Sequence, residues 1–171
     1  RNLVISAIDL RWGVTSSQAQ AGTSLLLCLN ELHRCDLLIA FIGDRYGWHD
    51  TGKGTNEDRL FRRAIERASK VFPFVTKHAN KSATELEIQA ILEGHYECPA
   101  WFYVRDSSSF LSTVAPFDRH LYESEGPAEM EKMSSLKHQI AQSGFPVHLY
   151  SAPNEVGAVV RRDLSAWIIS R

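Results

Sequence analysis

Asp36-Leu37-Leu38-Ile39-Ala40-Phe41-Ile42-Gly43 is an uninterrupted apolar run of strand length, closed by a glycine. Such runs suit parallel strands covered on both faces. Upstream of it, Leu25, Cys28, Leu29 and Leu32 recur at i, i+3, i+4 and i+7, which predicts a helix over about 17–34. Before that helix, Leu3 to Leu10 reads as a short buried strand broken by Arg11-Trp12-Gly13. Downstream, a polar loop with Gly52 and Gly54 leads into a predicted helix over 57–70. Its inner face is Phe61, Ala64, Ile65 and Ala68, and its outer face is Arg59, Arg62, Arg63, Arg67 and Lys70. Phe72-Pro73-Phe74 ends or kinks it, because proline removes a backbone donor. Ser82-x-x-Glu85 ahead of Leu86, Ile88, Ile91 and Leu92 predicts a capped helix over 82–94.

Further strands are predicted at 99–104 and 145–150, with amphipathic helices over 128–143 and from Val156 through Ile168. The loop of about twenty residues after Val104 is long enough to predict either function or disorder. The resulting order, β-α-β-α-α-β-α-β-α, predicts an α/β domain with right-handed crossovers and a parallel sheet.

The 171 residues fit one ordinary domain, and 44% apolar with 23% charged residues is a globular balance. A net charge of −1 gives no general reason to bind nucleic acid or an anionic membrane. No apolar run approaches the ~20 residues of a membrane span. Cys28, Cys35 and Cys98 show no CxxC spacing, and their odd number excludes a fully paired disulfide framework. Reduced thiols and a cytoplasmic setting are expected. The first residues carry neither a starting Met nor a signal-peptide pattern, so the chain reads as an N-terminally incomplete fragment of a larger protein.

Polar residues gather where the predicted strands end. Asp9, Arg11 and Trp12 close the first, Asp44, Arg45, Tyr46 and Trp48 follow the second, and Arg105 and Asp106 end the third. Ligands of open parallel sheets bind outside the carboxyl ends of strands. Arginine with aspartate there could orient a phosphate or ribose, and Trp12, Tyr46 or Trp48 could stack on a base. The same Asp and Arg could instead pair and staple the loops. Glu87, in the first turns of a helix, is the sharpest carboxylate candidate for nucleophile or charge stabiliser, and a surface carboxylate favoured by the helix dipole is the plainer reading. The Arg59, Arg62, Arg63 and Arg67 stripe reads as a solvated helix face. The seven histidines show no metal-ligand spacing, and no GxxxxGK[ST], GxGxxG or GxSxG motif occurs.

Four motifs occur in order: Asp9-Leu10-Arg11-Trp12-Gly13-Val14-Thr15, Gly43-Asp44-Arg45-Tyr46-Gly47, Ser82-Ala83-Thr84-Glu85-Leu86-Glu87 and Phe102-Tyr103-Val104-Arg105-Asp106. Together they resemble the uncharacterised N-terminal domain that precedes a NACHT ATPase in nephrocystin-3, telomerase-associated and NACHT–WD-repeat proteins. The resemblance implies a single TIR-like domain over 1–171, with a flavodoxin-like sheet ordered 2-1-3-4-5 whose first, central strand is absent from this chain. It also implies a signalling or scaffolding module that meets its own downstream NACHT and repeat domains and other subunits, including homotypic ones, without nucleic acid or membrane. A ciliary or ribonucleoprotein setting would follow from the family alone. Thr84-x-x-Glu87-Ile88 is similar to the Cys-x-x-Glu-Ile pattern of NAD-cleaving TIR enzymes. The alternative is therefore an NAD glycohydrolase or nucleotide sensor, with Glu87 as catalytic carboxylate. In that reading Arg11, Asp44 and Arg45 orient NAD or another nucleotide.

Overall fold

A computed structural model describes residues 6–8, 22–124 and 126–170. In chain order the elements are α1 (Ser24–Arg34), β1 (Leu38–Ile42), α2 (Asn56–Ser69), α3 (Phe74–Lys77), α4 (Ala83–Leu92), β2 (Ala100–Arg105) and α5 (Ser107–Thr113). A 3-10 turn (Pro116–Leu121), α6 (Pro127–Gln142), β3 (Val147–Tyr150) and α7 (Pro153–Ile169) complete them. Most of the predicted 3–10 strand lies outside the described residues, and residues 6–8 carry no strand. The described residues fall into two units, one of 6–8, 22–36 and 47–98, the other of 37–46, 99–124 and 126–170.

The second unit holds the sheet, three parallel strands in the order β1-β2-β3. Ala40 sits opposite Phe102, and Val104 opposite Leu149. A mixed α/β unit with a small parallel sheet and flanking helices is compatible with a flavodoxin-like fold. Ala100, Phe102, Tyr103 and Val104 bury the central strand β2, with Met133, Leu136 and Ile140 of α6 in the core. The apolar run through β1 predicted cover on both faces, and here the structure differs. Phe41 stands 54% exposed, because β1 is an edge strand of the described sheet. Leu149 on the other edge strand, β3, is 73% exposed for the same reason. The predicted twenty-residue loop after β2 is also largely ordered, into α5 and the 3-10 turn.

The first unit is helical. Leu25, Leu29 and Leu32 of α1 share a core with Phe61, Ala64 and Ala68 of α2 and with Leu86, Ile88 and Ile91 of α4. Pro73 does end the long helix: α2 stops at Ser69, and one further turn, α3, buries Phe74 and Val75. The helix starts follow from local chemistry. Thr55 and Asp58 form a reciprocal capping box on α2, and Ser82 accepts the Glu85 N–H at the start of α4. Gly47 packs against that second start at φ +90°, and a Cβ there would lie 3.3 Å from Thr84 Oγ1. The N–H of Ala83 donates to the Trp48 carbonyl at 2.9 Å, so Gly47 and Trp48 dock on the start of α4.

Candidate functional site

The carboxyl ends of β1 and β2 bring Asp44 and Arg105 together. Arg105 donates from Nε and Nη2 to Asp44 Oδ2 at 2.9 and 2.7 Å. Lys137 Nζ donates to Asp44 Oδ1 at 2.6 Å, and the Ser107 hydroxyl donates to the same oxygen. The three charged side chains are 12%, 11% and 20% exposed for Asp44, Arg105 and Lys137, so water screens them little. Burial pushes the Asp44 carboxyl up, but hydrogen bonds from Lys137, Ser107 and Arg105 outweigh it and hold the group below its ordinary value. Within this cluster one carboxylate faces two cations.

This cluster also organises the segment that follows β2. Arg105 Nη2 donates to the Tyr122 carbonyl at 3.1 Å, and its guanidinium lies 4.2 Å from the centroid of Phe110. Ser124 donates to the Asp44 carbonyl at 2.6 Å and accepts the Tyr46 N–H at 3.1 Å. Asp44 and Glu123 make an isolated parallel bridge. The segment thus held presents Phe117 and Leu121 to solvent, 85% and 51% exposed.

The other candidates divide. Asp106 caps α5 by accepting the N–H groups of Ser108 and Ser109, and its carboxyl is held low mainly by Ser108 and Ser109. Tyr46 is buried, with the Lys132 ammonium 5.2 Å from its ring centroid, while Arg45 is exposed. Trp48 packs edge-on against Phe61 at 5.1 Å in the helical unit. Asp9, Arg11 and Trp12 lie outside the described residues. Glu87 belongs to the helical unit, half-buried on α4. Burial raises its carboxyl to about 7, and a hydrogen bond with the Cys28 thiol offsets part of that rise. The Cys28 thiol is itself pushed up to about 12, by burial first and then by Glu87.

Lys137, Ser107 and Ser124 were not read from the sequence as site residues. Lys137 had a signal, since it adjoins Leu136 on the inward side of an amphipathic helix. The two serines had none. Among the described residues, no group of three or more His, Cys, Asp or Glu is placed to hold a metal ion, and no helix is long and apolar enough to cross a membrane.

Known proteins share this chain as a part of something larger. A TPR repeat-containing protein of Dictyostelium discoideum is 36% identical over 170 residues, 98% of this chain and 10% of that protein. Mouse telomerase protein component 1 is 29% identical over 140 residues, 80% of this chain and 5% of that protein. The mouse NACHT domain- and WD repeat-containing protein 1 is 39% identical over 51 residues, 26% of this chain and 3% of that protein. The chain thus spans a tenth or less of the length of these relatives. No solved structure matches it. The model of the family described as Domain of unknown function (DUF4062) matches residues 1–165, and the chain belongs to that family.

Proposed function

We propose that this domain is a protein-interaction module of a large repeat-containing protein, placed ahead of a NACHT-type NTPase, and that it regulates assembly of the whole. One observation carries the reading. The charged groups at the strand ends are spent on one another, and what they hold in place is a segment that presents Phe117 and Leu121 outward. An exposed apolar pair on an ordered scaffold suits contact with another protein surface, such as the downstream NACHT and repeat domains or a second subunit. The similarity of the chain to parts of TPR and NACHT–WD repeat proteins supports the same reading.

The test is the assembly state of the full-length protein with Phe117→Asp and Leu121→Asp together, beside Arg11→Ala and Trp12→Ala. Both apolar positions are exposed, so the double change should cost little stability. Altered mass or lost contacts in crosslinking is the expected result. Wild-type assembly in every variant would refute the proposal.

A second reading is favoured by Glu87. A carboxyl with a strongly raised pKa on a helix of this type is a functional-site candidate. In this reading the domain cleaves or senses NAD or a related nucleotide, with TIR-like chemistry at Glu87. NAD turnover by the full-length protein that disappears in Glu87→Ala would support it, and equal turnover in both would refute it.

A further inference from the structure

Cys35 and Cys98 are 63 positions apart in the chain, yet their sulfurs lie 3.6 Å apart. Both side chains are half-buried rather than enclosed. Cys35 is the C-cap residue of α1, with extended backbone at φ −79° and ψ 146°, and its sulfur is 3.1 Å from the Leu32 carbonyl. Cys98 lies in the irregular stretch between α4 and β2. A second contact runs in step with the first: the rings of His33 and Tyr96, two residues ahead of each cysteine, have centroids 5.3 Å apart. The end of α1 and the approach to β2 are therefore held side by side over at least two residues.

We propose that Cys35 and Cys98 are a modification site, a thiol pair that closes reversibly into a disulfide. A disulfide has its sulfurs ~2.05 Å apart. The remaining approach of ~1.5 Å is small for a loop residue facing a helix cap. No third and fourth ligand of metal type stands beside them among the described residues, so the pairing is one of sulfur with sulfur.

The oxidant is a low-molecular-weight disulfide, R–S–S–R. The thiolate of one cysteine attacks it, forming a protein–S–S–R bond and releasing R–S⁻. The second thiolate attacks the protein sulfur of that bond, the Cys35–Cys98 bond forms, and the second R–S⁻ leaves. Two protein thiols lose two protons and two electrons, and R–S–S–R becomes two R–SH. The product ties the end of α1 to the residues that enter β2 and locks the His33–Tyr96 contact.

The test uses the full-length protein, equilibrated with mixtures of oxidised and reduced glutathione, quenched with acid, alkylated and digested with trypsin. Cys35 then lies in peptide 35–45, Cys98 in 82–105 and Cys28 in 12–34. The expected result is a linked 35–45/82–105 pair that rises as the mixture becomes more oxidising and reverses fully on return to reducing conditions. Cys28 should stay unlinked throughout. In Cys98→Ser the link should vanish and a glutathione adduct should persist on Cys35. Lasting single adducts on Cys35 and Cys98 in the unsubstituted protein, or a link through Cys28, would overturn the proposal. So would full alkylation of both thiols at every ratio.

Discussion

Arg105 delivers both Nε and Nη2 to one oxygen of Asp44, at 2.9 and 2.7 Å, and leaves the other oxygen to Lys137 and Ser107. The carboxylate is therefore saturated, and each cation depends on it for the cost of leaving water. This one residue joins β1, β2, α5 and α6, so its loss is felt across the unit.

Asp44→Ala should destabilise the domain by about 3 kcal/mol, because two poorly exposed cations then face each other without a counter-charge. Urea unfolding measures it. Lys137→Met should cost clearly less, since the Arg105 pair survives. The folded Asp44 carboxyl is held below its unfolded value, so its contribution is present above about pH 4 and fades as pH falls through the folded value. Stability measured from pH 5 to pH 2 should fall less steeply in Asp44→Asn than in the parent.

Glu87 works in the opposite sense. Its folded carboxyl is raised to about 7 from 4.5, so the folded state binds the proton more tightly. Stability is fully present below pH 4.5 and is lost as pH rises through about 7. Glu87→Gln should match the parent in acid and exceed it above pH 7 by on the order of 1–3 kcal/mol. A parent whose stability does not decline across that window, compared with the variant, would exclude this account.

Gly47→Ala should cost about 1–2 kcal/mol, since φ +90° disfavours any side chain and the new methyl crowds Thr84. Adding Thr84→Ser would leave the hydroxyl and therefore the loss. Adding Thr84→Ala should recover only the crowding part, as a double-mutant cycle would reveal.

Thr55→Ala and Ser82→Ala each remove an N-cap acceptor, of α2 and α4 respectively. Each should cost about 1 kcal/mol, and Ser82 the more, because it is buried and water cannot replace it. Thermal unfolding of the two single variants makes the comparison.

Much of this architecture was legible before any coordinates. The Leu25, Cys28, Leu29 and Leu32 spacing and the Phe61, Ala64 and Ala68 face name core residues that are in fact buried. The Ser82 cap was readable because a cap is a contact across three residues. Exposure of β1 was not, since an apolar run records what a strand tolerates on its faces and says nothing of which strand lies at the edge. The ordering of 107–121 was also hidden. It depends on Arg105 reaching the Tyr122 carbonyl and on Ser124 bridging Asp44 and Tyr46, contacts that have no periodicity.

The long helices, the three described strands, the parallel α/β class and the polar character of the strand ends were already written in the residues, because each rests on spacings of two to seven residues along one backbone. That Asp44 meets Arg105 and Lys137, and that Cys35 meets Cys98 across 63 positions, emerged from folding alone. Those pairings are set by strand order and by the packing of α1 against the approach to β2, and chain proximity carries no trace of either.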